Sequence, residues 1–421
     1  MSLEPPCYNA VVSVFDAIVV GAGPAGAAAA RGLAAGGARV CLLERARFPR
    51  NKPCGGGITT RALSRFPWLE AALPRIPTHW VSRLYLEAGD GHHIVLTSER
   101  PAVLLVRRLE FDELLARLAV EAGAELCEEA WVSQVGADDD RVVVQTRDGR
   151  EFVGRYVVAA DGVNGIVTRR LGLHQGWDGE AVALDMMEEA PDARLRATDP
   201  ATLWVAYGHG GADGYGYVFP KQGHVNVGIG CLLSCFKEQV RLPPYEFQRG
   251  FVSELVARGV LEGASTREHF TPCHIPVGGP IGRTAAGRVL VAGDAGGFVN
   301  AYTAEGIYYA MVTGELAAGA ILAALGTGGP ERRGQAARHY VRAWKREIGA
   351  ELRDARLIQK YLFRDSQRIA SVVRGAGNHG DLPQAIIGYA MGAIPYAAAR
   401  RRVLSRFPRT ALRLARIALF G

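Results

Sequence analysis

The chain has 421 residues, of which 48% are hydrophobic and 22% are charged, so it can bury the cores of two or three domains and is neither a mini-protein nor a disordered chain. Lys and Arg total 49 against 42 Asp and Glu, which gives a net charge of +7. The whole excess lies in a tail: residues 1–381 carry 42 charges of each sign, and seven arginines but no acidic residue follow. A neutral body argues against the broad basic face that nucleic acid binding requires, so no nucleic acid partner is expected.

The seven cysteines indicate a reducing compartment. They form no C-x-x-C pair, and their odd number fits free thiols better than a disulfide framework. Cys231 and Cys235 are four residues apart without flanking histidines, so we expect no metal site. The first eight residues contain no Lys or Arg, which is not typical of a signal peptide, and we expect a cytoplasmic protein.

The first predicted elements form a β-α-β unit. Residues 15–26 read FDAIVVGAGPAG, a buried strand followed by a glycine-rich turn, and an Ala-rich helix and a second strand over 38–43 come next. The turn is expected to bind the pyrophosphate of a dinucleotide at the helix N-terminus, through Gly21, Gly23, Ala25 and Gly26.

An acidic residue ends the second predicted strand. Glu44 lies 18 residues past Gly26, where its carboxylate can accept hydrogen bonds from a ribose diol. Arg45, which follows directly, is assigned to the same cofactor site. The alternative for Glu44 is a solvated side chain at a strand end.

Further elements alternate along the chain. Strands are predicted over 81–86, 93–96 and 103–106, a helix over 111–122, a meander over 125–146 and a buried strand over 156–162. Residues 180–270 contain short alternating segments with Gly-rich turns, which predict an antiparallel sheet in a second domain. A buried strand over 288–294 leads to a helix that begins near Ala304, and helices are predicted beyond residue 330.

Three widely separated motifs indicate one extended dinucleotide of the FAD type. The Gly21 turn, Asp161-Gly162 and Gly293-Asp294 each follow a predicted strand, and Asp294 is the candidate for the ribityl chain. The sequence therefore predicts an α/β protein with a Rossmann-like FAD-binding domain, a second antiparallel-sheet substrate domain and a C-terminal helical segment. The predicted boundaries are 14–75, 102–178 and 275–330 for the FAD-binding domain, 76–101 and 179–274 for the substrate domain, and 331–421 for the helical tail.

The segment Arg108-Leu109-Glu110-Phe111-Asp112 matches an R-x-x-F-D motif. With the glycine motifs, it resembles the glutathione-reductase-type FAD fold in the branch shared with the aromatic hydroxylases. The resemblance implies that Arg108 approaches the flavin. The alternative is a helix cap with a surface arginine.

Within that branch the chain resembles the geranylgeranyl reductase family, which reduces isolated double bonds of polyprenyl chains. The resemblance covers roughly residues 14–325 and is carried by KPCGGG at 52–57, YGYVFPK at 215–221 and GDAGGFVNAYTAEGIYYA at 293–310. Archaeal members show P-x-x-Y-x-W-x-F-P along the substrate channel, and here Ala212 and Tyr217 replace the first proline and the tryptophan. Chlorophyll-pathway members show a similar stretch, so the subgroup stays open.

Alkene reduction needs a hydride from flavin N5, a proton for the other carbon and a dry channel. Cys54 is a candidate proton donor or a small apolar filler, and Gly55 and Gly56 beside it permit close approach to the flavin. Helix amides at Gly306 and Ile307 are expected to face the flavin. The remaining candidates are Tyr215 and Tyr217, assigned to catalysis and to the channel, with Phe219 and Pro220 as further channel residues; a hydrophobic core face is the alternative.

We therefore predict an FAD-dependent reductase that saturates a polyprenyl group on a lipid, quinone, pigment precursor or diphosphate. The alternatives are an FAD-dependent monooxygenase that hydroxylates an aromatic or lipophilic substrate, and a non-catalytic prenyl-lipid binding protein. No second nucleotide motif is placed between a strand and a helix. The reductant is accordingly either transiently bound NAD(P)H or a ferredoxin-like electron-donor protein.

The basic tail has a helical period. Arginines at 402, 406, 409, 413 and 416 are separated by steps of 4, 3, 4 and 3, which places them on one stripe of a helix. Such a helix is expected to attach the protein peripherally to the inner face of the cell membrane. A helix docked on the body is the alternative. The uncharged stretch 382–399 contains two prolines and two glycines, and we predict that it does not cross the membrane.

Overall fold

The N-terminal β-α-β unit is the start of a large sheet in the computed structural model, which describes residues 14–98, 101, 103–326, 334–362, 366–377, 385, 388–389 and 394–406. Its strands are β1 (Val14–Val20), β2 (Val40–Leu43), β8 (Glu125–Cys127), β9 (Val132–Ala137), β10 (Val142–Thr146), β11 (Glu151–Ala159), β19 (Ala285–Ala286) and β20 (Val289–Val291). The central strands pair in parallel in the order β20-β11-β1-β2-β8, and β19 pairs antiparallel with β20. β10 pairs antiparallel with the first half of β11, and β9 pairs antiparallel with β10.

A second sheet has the order β18-β12-β16-β15-β14-β5-β6. All neighbours are antiparallel except β14 and β5, which pair in parallel. The strands are β5 (Arg83–Glu87), β6 (His93–Thr97), β12 (Ala183–Pro191), β14 (Thr202–Tyr207), β15 (Gly214–Lys221), β16 (His224–Leu232) and β18 (Phe270–Ile275). Two small sheets complete the strands, formed by β3 (Gly57–Thr59), β7 (Val103–Val106) and β4 (Thr78–Val81), and by β13 (Leu195–Ala197) and β17 (Leu261–Gly263).

The helices cover both large sheets. The described helices are α1 (Pro24–Ala35), α2 (Thr60–Arg65), α3 (Pro67–Ala72), α4 (Arg108–Glu121), α5 (Val167–Arg170), α6 (Leu233–Gln239), α7 (Pro244–Ala257), α8 (Ile307–Leu325), α9 (Gln335–Trp344), α10 (Ala350–Leu362), α11 (Ser366–Gly377) and α12 (Tyr396–Arg406). A π-helical turn at Lys345–Gly349 joins α9 to α10.

Helices α1 and α8 pack against each other through small residues. A Cβ on Gly314 would lie 2.1 Å from the backbone oxygen of Ala25, so the two backbones meet where no side chain fits. Of the described helices only α8 is long and apolar enough to span a membrane, but 72% of that apolar window is buried inside the protein. Its length and hydrophobicity therefore serve the core, which includes Tyr309 and Met311.

The structure corrects several predicted elements. The predicted strand over 81–86 is two strands, because Ser82 separates β4 from β5 and the two belong to different sheets. The predicted strand over 156–162 begins at Glu151 and ends at Ala159, and the helix expected near Ala304 begins at Ile307. Helices α6 and α7 and the parallel pairing of β5 with β14 are features that strand periodicity did not predict.

The beginning of the basic tail docks on α10. The Arg400 guanidinium lies 3.1 Å from Asp354, and the Tyr396 hydroxyl donates a hydrogen bond to the same carboxylate. Most of the predicted arginine stripe, at 407–421, and much of the uncharged stretch 382–399 lie outside the described residues.

Candidate cofactor and substrate site

A cavity of about 660 Å³ lies where the first sheet meets a face of the second. Four parallel strands, β1, β2, β11 and β20, end at it, as expected for a ligand bound at the carboxyl ends of a parallel sheet. Its lining includes nearly all the predicted site residues: Gly21, Gly23, Ala25, Glu44, Arg45, Cys54, Gly55, Gly56, Arg108, Asp161, Tyr215, Tyr217, Phe219, Gly293, Asp294, Gly306 and Ile307. Chain segments up to about 290 residues apart in sequence therefore form one site.

The turn after β1 is shaped for a ligand that approaches the backbone. Gly21 has a φ of +97°, and a Cβ there would lie 2.4 Å from the oxygen of Ala160. A Cβ on Gly26 would lie 1.8 Å from the Gly21 oxygen, so this glycine is needed for packing and does not line the cavity. A Cβ on Gly23 would meet only Arg50, at 4.0 Å, and would project into the cradle at the start of α1. The cradle fits a pyrophosphate.

Glu44 is buried, which excludes the solvated alternative. Its carboxylate accepts hydrogen bonds from the Ala22 amide and from Arg50, each at 3.1 Å, and a further bond from the Ala46 amide. It therefore stands at the cavity beside the glycine turn, where a ribose of the dinucleotide would lie. Arg45 also lines the cavity, with its guanidinium 5.7 Å from the ring centre of Trp131.

A chain of ion pairs links Glu44, through the partly buried Arg50, to the predicted flavin arginine. Arg50 bonds to Asp112 at 2.9 Å, and Arg108 bonds to both oxygens of the same carboxylate, at 2.6 and 2.9 Å. Burial opposes ionisation of Asp112, but the guanidinium groups of Arg108 and Arg50 outweigh it and hold the pKa of this carboxyl below its usual value. Arg108 is itself buried, so the alternative of a surface arginine is excluded.

The glycine-rich loop that begins at Cys54 lies against the second sheet. A Cβ on Gly55 would lie 2.6 Å from the Phe219 ring, and Gly56 has a φ of +73°, so neither position accommodates a side chain. The Cys54 sulfur accepts a hydrogen bond from the Gly56 amide at 3.4 Å. The loop thus brings bare backbone to the cavity between the two sheets.

Lys221, at the end of β15, fastens this loop. Its side chain is 1% exposed, its ammonium group donates to the Cys54 oxygen at 3.4 Å, and it pairs with Glu189 at 2.6 Å. Glu189 also pairs with Arg107 at 3.0 Å, so the buried carboxylate has two cationic partners. Burial by itself would raise the pKa of Glu189. The positive charges of Lys221 and Arg107 lower it by more than burial raises it, so the pKa lies below its usual value.

The remaining cofactor candidates lie beside the glycine turn and at the start of α8. The Asp161 carboxylate accepts hydrogen bonds from the amides of Ile166 and Val167, at 2.6 and 3.0 Å, while its second oxygen is buried without a hydrogen-bond partner in the described structure. Gly293 and Asp294 follow β20 in a 3₁₀ turn. Gly306 and Ile307 begin α8, where a Cβ on Gly306 would lie 3.5 Å from an Asp294 oxygen. All of these candidates line the same cavity.

The aromatic residues of β15 share a face, as predicted. The rings of Tyr215 and Tyr217 are 6.3 Å apart, those of Tyr217 and Phe219 are 4.8 Å apart, and all three side chains line the cavity. Pro220 lies on the opposite face and does not line it, which corrects the prediction that Pro220 belongs to the channel. The physical reason is the alternation of side chains along a strand.

Sequence reasoning missed several residues of the site. Three of them lie in or next to motifs that the sequence shows. Arg50 precedes the KPCGGG segment, Asp112 ends the R-x-x-F-D motif, and Lys221 ends the YGYVFPK segment, so their sequence positions could have indicated them. Asp185 is one of three acidic residues on β12, and the structure places it in the cavity wall. Its partner Tyr217 was predicted for a different reason.

Comparison with known proteins places the chain in a family. A family model described as FAD binding domain matches residues 14–339. Curated relatives include a menaquinone reductase of Mycobacterium tuberculosis, 31% identical over 72% of this chain and 75% of the relative. A digeranylgeranylglycerophospholipid reductase of Methanopyrus kandleri is 32% identical over 72% of this chain and 79% of the relative. A geranylgeranyl diphosphate reductase of Rhodobacter capsulatus is 31% identical over 84% of this chain and 86% of the relative.

Solved structures show the same fold. A geranylgeranyl bacteriochlorophyll reductase-like protein of Thermoplasma acidophilum matches with a TM-score of 0.78 and 20% identity, over 96% of this chain and 99% of the other. The flavin-dependent brominase Bmp2 matches with a TM-score of 0.72 and 17% identity, over 94% of this chain and all of the other, so the fold alone does not select a reaction.

The site and its relatives define an FAD-dependent oxidoreductase. The chain belongs to the geranylgeranyl reductase family of FAD-binding enzymes, and FAD is its cofactor. The glycine cradle, Glu44 and the Asp294 turn are the residues that would hold it.

We predict that Asp112→Asn destabilises the FAD site. The change leaves Arg108 and Arg50 without their shared anion, and loss of one partner of a buried ion pair costs about 3–5 kcal/mol. The free energy of unfolding should fall by that amount and the Kd for FAD should rise at least about tenfold, measured by denaturant unfolding and by FAD fluorescence titration. Glu113→Gln, the next residue on α4, is the control, because its partner Arg117 is exposed and the pair contributes less than about 1 kcal/mol. Equal effects of the two substitutions would contradict this role.

We also predict a pH-dependent stability difference for Asp185→Asn. Burial raises the pKa of Asp185 to about 6, whereas an unfolded chain has about 3.9, so the wild type loses stability as the pH rises through that interval. The asparagine variant lacks this loss. It should be more stable than the wild type by about 2–3 kcal/mol at pH 8, and the difference should close below about pH 4, measured by urea unfolding. A difference that is the same at both pH values would contradict the shifted pKa.

Proposed function

We propose that the protein is an FAD-dependent reductase that saturates carbon–carbon double bonds of a polyprenyl group. The observation that carries the proposal is the apolar extension of the cavity beyond the Cys54 loop. Its wall is built from β5, β14 and neighbouring loops, by Leu84, Leu86, Leu203, Val205, Tyr207 and Tyr302. A prenyl chain is a branched hydrocarbon and matches this lining.

The extension has a regular wall because two strands pair in register. Leu84 lies beside Leu203 and Leu86 beside Val205, so aliphatic side chains form adjacent pairs across β5 and β14. Helices α10 and α11 cover the same cluster with Leu362, Ile369 and Val373. An apolar chain inside the extension would be shielded from water.

The polar end of the cavity would bind FAD, and the apolar extension would bind the prenyl chain. Reduced FAD supplies a hydride when it is bound, and the residues of the polar end orient it. The Cys54 loop, held by Lys221, exposes backbone with little steric obstruction, and the aromatic face of β15 continues from it into the apolar extension. This order supports the placement of a double bond next to the flavin while the rest of the chain lies between β5, β14 and the helices.

The names of the relatives support the substrate class. Two of them are named for geranylgeranyl compounds, one a diphosphate and one a glycerophospholipid, and these share the prenyl chain but not the head group. The proposal therefore specifies the chain and not its carrier. NAD(P)H or a ferredoxin-like protein as reductant, and peripheral attachment to the membrane through the basic tail, belong to the same proposal.

The experiment is anaerobic turnover of the dithionite-reduced holoprotein with geranylgeranyl diphosphate, a geranylgeranylated glycerophospholipid and menaquinone. Mass spectrometry should show gains of two hydrogens per double bond in the prenyl chain without dioxygen, read for menaquinone from the side-chain fragment because dithionite also reduces the quinone ring. A strict dioxygen requirement, with a hydroxylated product, would support the monooxygenase alternative instead. Binding of prenyl compounds without any redox change would support the binding-protein alternative.

We predict that Val205→Phe shortens the accepted chain. A phenyl group at this wall position fills the extension, so kcat/KM for geranylgeranyl diphosphate should fall at least about tenfold more than that for geranyl diphosphate. Val95→Phe is the control, because Val95 lies on β6 of the same sheet and is 53% exposed. An equal loss for both chain lengths would contradict the position of the channel.

A further inference from the structure

A buried carboxyl group in the cavity wall has no part in the cofactor contacts. Asp185 is the third residue of β12, followed by Met186 and Met187, and is 5% exposed. It lines the cavity together with Tyr215, Tyr217 and Cys54. Asp185 makes no hydrogen bond to Glu44 or Asp294 in the described structure, and its carboxyl group faces the aromatic residues of β15.

Tyr217 reaches this carboxyl group across an intervening strand. Its hydroxyl donates to the two Asp185 oxygens at 3.0 and 3.3 Å. β16 lies between β12 and β15, and opposite these side chains it has Gly228 and Gly230. A Cβ on Gly228 would lie 2.3 Å from the tyrosine hydroxyl, so the ring passes over β16 only because glycine is there. The contact therefore depends on four positions in three strands.

We propose that Asp185 and Tyr217 form the proton-donating pair of the reductase. The Tyr217 hydroxyl gives its proton to the alkene carbon that does not receive the hydride, and Asp185 returns a proton to the tyrosine oxygen. The proposal rests on the proposed function. It assigns to these two residues a role for which Cys54 is the other candidate.

Reduced FAD supplies the two electrons that saturation of one double bond requires. Saturation of one double bond adds a hydride, which oxidises reduced FAD, and one proton. When Asp185 is protonated, its hydroxyl donates to the tyrosine oxygen, and the phenolic hydrogen is free to point into the cavity. After transfer, the tyrosine is neutral again and Asp185 is a carboxylate, which takes a proton from water before the next cycle.

The surroundings favour a protonated carboxyl group. The titratable groups that face Asp185 are Tyr217 and Tyr215 on β15, Cys273 on β18 and Lys52 in the loop before Cys54. Burial raises the pKa of Asp185 to about 6 against the hydrogen bond from Tyr217 and the charge of Lys52. Burial also raises the pKa of the Tyr217 hydroxyl, so the phenol stays protonated until a carbon with developing negative charge accepts its proton.

The first test is the single-turnover reoxidation of anaerobically reduced holoenzyme by geranylgeranyl diphosphate, followed by flavin absorbance between about pH 5 and pH 9. Asp185→Asn and Tyr217→Phe should each slow reoxidation at least about 100-fold, which is the usual contribution of a general acid. The wild-type rate should fall as the pH rises above about 6, and the Asp185→Asn rate should be flat. Glu188→Gln is the control, a buried carboxyl on the same strand that bonds to Ser265 and Thr266 outside the cavity.

The second test needs neither flavin nor substrate. Infrared titration of the FAD-free protein should show, in the difference between wild type and Asp185→Asn, a protonated carboxyl band with a midpoint near pH 6; the difference is needed because burial also raises the pKa of Asp161 and Glu305. The band should be absent in Asp185→Asn and should titrate at higher pH in Tyr217→Phe, because the lost hydrogen bond stabilises the carboxylate. It should be unchanged in Glu188→Gln.

The outcomes separate the two proposals. If wild-type holoenzyme reduces no prenyl compound, the proposed function fails, and the infrared band still decides whether the pair holds a proton. Absence of that band in the wild type overturns the pair. An Asp185→Asn reoxidation rate within about threefold of the wild-type rate would also overturn the pair. If Cys54→Ala then abolished reoxidation, Cys54 would be the proton donor.

Discussion

The fully buried carboxylate of Asp112 is the interaction on which the cofactor site depends. It lies between two guanidinium groups, and through Arg50 it is connected to Glu44 at the end of β2. A buried charge is tolerated only when it is fully paired, so the loop, the strand end and α4 hold one another in a fixed arrangement. The polar end of the cavity is therefore a rigid frame in which the glycine turn and Glu44 keep their positions.

A second buried ion pair connects this frame to the other sheet. Lys221 on β15 bonds to the Cys54 oxygen and to Glu189, so the flavin-side loop is fixed from the substrate side. The two sheets thus meet at Gly55 and Gly56 of the Cys54 loop, which lie between the polar end of the cavity and its apolar extension. A brominase shares the fold, so the fold alone does not select the reaction.

Much of the fold and of the cofactor site was predictable because its signals are local. The turn after β1 has a positive φ at Gly21 and brings the backbones of Gly21 and Gly26 into close contact, and a buried parallel strand reads as a continuous apolar run. The family resemblance located Arg108 and the aromatic strand. The split of β4 from β5 at Ser82 was not predictable, because it depends on which strand pairs with which, whereas the position of Pro220 follows from side-chain alternation along β15.

The sequence by itself determined the nucleotide turn, Glu44, the order of the elements and the concentration of positive charge in the tail. Each depends on residue types within a few positions of one another. Only the tertiary structure decided that Lys221 fastens the Cys54 loop, that Leu84 pairs with Leu203, and that Tyr217 reaches Asp185 above Gly228. The reason is physical: strand register brings together residues far apart in sequence, and the burial that shifts a carboxyl pKa exists only after the two sheets have packed.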